Sequence, residues 1–140
     1  MRAVVIAHRD PALAAALEAD LRRTSSSINT CPGPFPPKLR CIQCDTGYCP
    51  LTDAADVLIY DPTLVALDDN GVSHNLAVES ALSHPDIPML VTGFTETEAA
   101  GAVDVMARAQ NVVLAAQDRA EMLVQVNQLA SRTLEMLPRR

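Results

Sequence analysis

Four short apolar runs govern what this chain can fold into: Ala3–Ala7 (AVVIA), Val57–Tyr60 (VLIY), residues 89–92 (MLVT) and residues 111–116 (NVVLAA). Each has the length of a strand, and none alternates polar with apolar positions as a strand with one wet face does. Uninterrupted apolar runs of this length suit strands covered on both faces, as in a parallel sheet. Helical patterns fill the spaces between them, at about residues 11–23, 74–83, 96–109 and 118–137. In the first, Leu13, Leu17 and Leu21 recur every four residues and make one apolar face, while Asp10 and Pro11 supply a cap and a pre-set first turn. Strands alternating with helices imply right-handed crossovers. The predicted fold class is α/β, with a doubly wound, mostly parallel sheet.

A length of 140 residues suits one domain spanning the whole chain, large enough to bury a core without disulfide staples. A formal net charge of −6 leaves no basic face to neutralise phosphates, which argues against a nucleic-acid partner. Aromatic residues are only 3% and tryptophan is absent, so no stacking platform for bases or sugars is visible. The opening apolar run is far shorter than a signal-peptide core or a membrane span, so the expected location is the cytoplasm, with no membrane partner.

Residues 24–56 break the pattern. Five of the ten prolines and all four cysteines fall there, and proline at that density neither continues a helix nor pairs inside a sheet. The segment reads as mostly irregular, above all at about 31–50, with room for one short strand at residues 26–30. Cys31, Cys41, Cys44 and Cys49 are separated by nine, two and four residues. The CxxC formed by Cys41 and Cys44 lets two thiolates face one tetrahedral ion, and Gly47 permits the turn that returns Cys49. Four thiolates suit zinc or an iron–sulfur cluster. Disulfides or separate thiols are the other readings, although stable disulfides are uncommon in the cytoplasm. A thioredoxin-type use of CxxC is disfavoured, because DTGYCP after Cys44 does not start a helix.

The order and spacing of these elements resemble the receiver domain of bacterial response regulators, outside the cysteine segment. VVIAHRDPALAAAL is similar to that family's first strand, acidic turn and first helix; ADVLIYDP to its third strand; IPMLVTG to its fourth. The resemblance implies a flavodoxin-like three-layer sandwich, with Asp61 at the phosphoacceptor position and Thr92 at the switch hydroxyl. It also implies departures. His8 and Arg9 stand where the family has the acidic pair that gathers magnesium, leaving only Asp10 acidic, and Leu114, Ala115 and Ala116 stand where its lysine lies. A pocket so altered is not expected to hold magnesium or to form an acyl phosphate.

The expected function is therefore a non-catalytic, receiver-like regulatory module in a two-component setting. It would act through protein contacts, with the four cysteines as a structural metal clamp or redox input. The competing reading is a small enzyme or anion-binding domain that uses the crevice formed by His8, Arg9, Asp10, Asp61 and Thr92, since ligands of such sheets sit at the strands' carboxyl ends. In the last helix, Leu123, Val126, Ala130, Leu134 and Leu137 share a stripe. At about 30 Å this helix exceeds what a sheet of this size needs. Its final turns around Leu134, Met136 and Leu137 are thus candidates for docking a protein partner or a second copy; an ordinary packed terminal helix is the alternative.

Overall fold

The computed structural model describes residues 3–23, 27–31, 41, 49–68, 70–92, 111–115 and 118–136, with residues 114 and 132–136 described by backbone only. In chain order the described elements are β1 (Ala3–Ala7), α1 (Pro11–Leu21), β2 (Ser27–Cys31), α2 (Pro50–Asp53), β3 (Val57–Tyr60), β4 (Val65–Leu67), β5 (Ser73–Asn75), α3 (Leu76–Ser83), β6 (Met89–Val91), β7 (Val112–Leu114) and α4 (Arg119–Met136). Five strands form one parallel sheet in the order β2-β1-β3-β6-β7. The class is α/β, as the apolar runs predict.

The run AVVIA becomes β1 because both faces of that strand are covered: Val4, Val5, Ile6 and Ala7 are each at most 2% exposed. Alternate side chains of a strand point to opposite faces, and here they feed two separate clusters. Val4, Ile6, Val57, Ile59 and Leu90 pack with Leu17 and Leu21 of α1 and with Met122, Val126, Leu129 and Ala130 of α4. Val5, Ala7, Leu58, Tyr60, Met89 and Val91 pack with Leu76, Ala77 and Ala81 of α3 and with Leu64 and Ala66. A one-residue slip in register would exchange the two sets. The pairing is fixed by Ile6 opposite Ile59 and Leu58 opposite Met89.

Polar side chains tie the helices down. Asp10 caps α1 by accepting from the Ala12 and Leu13 amides at 2.9 and 3.5 Å, with Pro11 at the first helical position. Asn111, just before β7, donates from its side-chain amide to the carbonyls of His84 (3.2 Å) and Ile87 (3.1 Å), which anchors the segment that follows α3. The imidazole of His84 also meets Asp53, joining α3 to α2. Across the surface, the Arg119 guanidinium meets Asp20 at 2.9 Å and links α4 to α1.

Two elements differ from the sequence reading. Pro50 opens a single helical turn at the end of the proline-rich segment, where a first-turn proline costs no hydrogen bond. β4 and β5 pair as an antiparallel hairpin, and α3 starts at Leu76, with Asn75 as its cap, where the apolar pattern suggests His74. Gly71 turns the hairpin tip at φ 75°, a conformation that suits glycine. The helix expected at 96–109 lies outside the described residues. Among the described residues, no helix is long and apolar enough to cross a membrane.

Leu17 is wholly buried between α1 and the sheet, whereas Val124 on α4 is 55% exposed. Leu17→Ala is expected to lower unfolding stability by about 2–5 kcal/mol, against less than about 0.5 kcal/mol for Val124→Ala, as read from urea denaturation. Similar losses for both would contradict the packing described.

Candidate functional site

The carboxyl ends of β1, β3 and β6 bring His8, Arg9, Asp61 and Thr92 together. Asp61 follows the last residue of β3, and its amide donates to the Ala7 carbonyl at 2.8 Å. Thr92 follows β6; its amide donates to the Tyr60 carbonyl at 2.9 Å, and its hydroxyl approaches the same oxygen at 3.4 Å. Thr92 is therefore hydrogen-bonded to backbone and 1% exposed. Asp10 diverges from the group, because its Oδ1 is occupied by the first turn of α1.

Asp61 is only 4% exposed, and both of its oxygens are engaged. Oδ1 accepts from the Thr63 hydroxyl at 2.6 Å and from the Thr63 amide at 2.9 Å; Oδ2 accepts from the Arg9 amide at 3.2 Å. The Arg9 guanidinium stands 4.0 Å from Oδ2. Burial pushes the carboxyl up, but the Thr63 and Arg9 hydrogen bonds and nearby His8 outweigh it, so Asp61 ends below the ordinary carboxylate range. Thr63 escapes the sequence reading as a site residue. Its signal is local: an aspartate followed two residues later by threonine can close an Asx turn, with the carboxylate accepting from that residue's amide.

His8 is 8% exposed. Its Nδ1 accepts from the Asp10 amide at 2.9 Å, which in the neutral ring places the hydrogen on Nε2. Nδ1 lies 3.7 Å from Asp61 Oδ2, too far for a hydrogen bond. Nε2 is buried without a hydrogen-bond partner among the described residues. Beside the ring, a cavity of about 210 Å³ is bounded by Pro11, Ala14 and Glu18 of α1 and by Thr30 and Cys31 of β2. A larger hollow of about 640 Å³ runs along Val113 and α4 and shares no lining residue with the Asp61 group.

Three of the four cysteines can be placed. Cys31 ends β2, and Cys31 and Cys41 both pack against the cluster that contains Tyr60. Cys49 precedes α2 and, like Cys31, is close enough to act electrostatically on the Tyr60 phenol. Burial raises the pKa of that phenol, against the opposing effect of its bonds to Ser80 (2.9 Å) and Thr52 (3.4 Å). Cys44 lies outside the described residues. Among the described residues, no group of three or more histidine, cysteine or acidic side chains could hold a metal ion.

No protein-family model matches this chain, and no curated protein is significantly similar to it. The residues themselves offer a buried carboxylate beside a cation, and thiols near the Tyr60 cluster.

Because the folded Asp61 carboxyl lies below its unfolded value, its contribution to stability is complete above about pH 4 and fades as pH falls through the folded value. Thr63→Val removes one donor to the ionised form. We expect it to cost about 1 kcal/mol at pH 7 and progressively less toward pH 2, measured by urea unfolding across that range. A difference that is constant with pH would show that Thr63 does not act through the carboxylate.

Proposed function

We propose that this chain is a receiver-like regulatory module that signals through protein contacts and without phosphorylation of Asp61. The observation that carries the reading is the state of that carboxylate: each oxygen accepts a hydrogen bond from the fold, and the Arg9 cation lies beside it. Acyl-phosphate formation needs an accessible oxygen and a divalent cation to gather the incoming charge. Arg9 repels such a cation, and Asp10, the one acid left in the turn, is committed to the cap of α1. The strand order and the place of Asp61 at the end of the central strand support the likeness to receivers. The two helix-bearing clusters on alternate pleats support the full doubly wound, three-layer arrangement.

In this reading the cysteine segment is the input, as a metal clamp or as a redox-active set of thiols. Its support is the four-cysteine spacing, together with the packing of Cys31 and Cys41 against the Tyr60 cluster; the described thiols do not by themselves form a metal-holding group. The output is a protein partner or a second copy docking on the C-terminal helix, in the cytoplasm. A second reading, a small-ligand binder, rests on the buried Nε2 donor of His8 beside a cavity of about 210 Å³.

Incubation with acetyl phosphate and magnesium, followed by intact-mass measurement, is expected to leave the protein's mass unchanged; a gain of one phosphoryl group at Asp61 would overturn the module's central property. For the input, protein purified without oxygen is expected to carry zinc or to show the visible absorption of an iron–sulfur cluster, and Cys41→Ser should abolish either. Metal-free protein with a reversible dithiol would select the redox form, and four thiols inert to mild oxidants and metals would remove the segment from the mechanism.

A further inference from the structure

His74 occupies the middle of β5 and faces two carboxylates from different elements. Its Nε2 lies 2.8 Å from Asp68 Oδ2, just beyond β4, and its Nδ1 lies 3.2 Å from Glu79 Oε1 in the first turn of α3. These are the charged groups in contact with the ring among the described residues. A neutral imidazole has one donor and one lone pair, so it can satisfy only one of the two acceptors; the imidazolium satisfies both.

One of these carboxylates, Asp68, also builds the hairpin. Asp68 Oδ1 accepts from the Asn70 and Val72 amides at 2.8 and 2.9 Å and so shapes the tip, leaving Oδ2 for His74. At the base, the Asn75 side-chain amide donates to the Pro62 carbonyl at 2.6 Å, and the Leu76 amide donates to the Leu64 carbonyl at 3.0 Å. Strands of three residues hold a hairpin only marginally by themselves. The link through Glu79 adds to the packing of Leu64 and Ala66 on Leu76 and Ala77 in fixing this hairpin to α3, and the base it steadies adjoins the turn in which Thr63 seals Asp61.

We propose that His74 is a proton-operated latch, which as the imidazolium pins the β4–β5 hairpin to α3 and on losing its Nδ1 proton releases Glu79. The proton passes to solvent, since the His74 side chain is 28% exposed, and Nε2–H remains on Asp68. The longer contact is the one that opens. Asp68 and Glu79 raise the pKa of the ring above the ordinary histidine value, and the ring in turn holds Asp68 low. The latch is thus fully closed below about pH 6.5, stays closed somewhat above it, and opens as pH rises through the folded value. This device goes beyond the regulatory reading and stands whether or not Asp61 accepts a phosphoryl group.

The test is a pH series on the full chain, reading the ring nitrogens by long-range proton–nitrogen correlation and the Leu76 amide by hydrogen exchange corrected for intrinsic rates. His74→Gln assigns the ring signals. At pH 6.5 both His74 nitrogens are expected to be protonated. Protection at Leu76 should fall about two- to fivefold as the ring loses its proton, a size set by exposed ion pairs. In Glu79→Gln the ring should titrate at lower pH and the Leu76 response should flatten. A ring largely neutral at pH 6.5, Leu76 protection that does not change when the ring titrates, or an unaltered titration in Glu79→Gln would each overturn the proposal.

Discussion

A parallel sheet leaves no strand in its middle with a face to spare for water, and that constraint organises the rest of this molecule. β1, β3 and β6 must be covered above and below, so their alternate side chains sort into two clusters, one closed by α1 and α4 and the other by α3. Among the described residues, the largest fully buried side chains serve that task. What remains for chemistry is the rim where strands end and polar side chains enter: His8, Arg9, Asp61, Thr63 and Thr92.

At that rim the balance of charge decides the character of the site. A carboxylate with 4% exposure persists only if hydrogen bonds replace lost water, and here Thr63 and the Arg9 amide do so. These bonds stabilise the ionised form and take both acceptor sites of Oδ1 and one of Oδ2. His8, whose Nδ1 is turned to the Asp10 amide rather than to Asp61, adds nothing that would activate the carboxylate.

The sheet was legible in the sequence because its signal is local. AVVIA and VLIY match β1 and β3 to the residue, and the cap and first turn at Asp10 and Pro11 start α1 where they should. The hairpin was not legible. Val65–Leu67 and Ser73–Asn75 are three residues each, too short for a two-residue alternation to stand out, and their pairing is held by Asp68 and His74 through side-chain bonds that no apolar pattern encodes. The rim was legible in part: His8, Arg9, Asp61 and Thr92 converge because strand ends in one parallel sheet must. Thr63 was hidden, since its role rests on an Asx turn rather than on any catalytic spacing. The cysteine spacing suggested a shared metal; Cys31 and Cys41 pack against one apolar cluster, no metal-holding group is found among the described residues, and Cys44 lies outside them.

Tyr60 connects these separate regions. Its backbone carbonyl receives Thr92, the next residue is Asp61, and its phenol passes beneath the sheet to Ser80 of α3 and Thr52 of α2. Cys31 and Cys49 act electrostatically on that phenol. The hydrogen bonds of that buried phenol help seat α2 and α3. Since α3 also carries Glu79, the cysteine face and the hairpin share one helix as their common support. Ser80 and Glu79 lie one residue apart on α3, so the contact with the Tyr60 phenol and the contact with His74 are anchored on the same turn of helix.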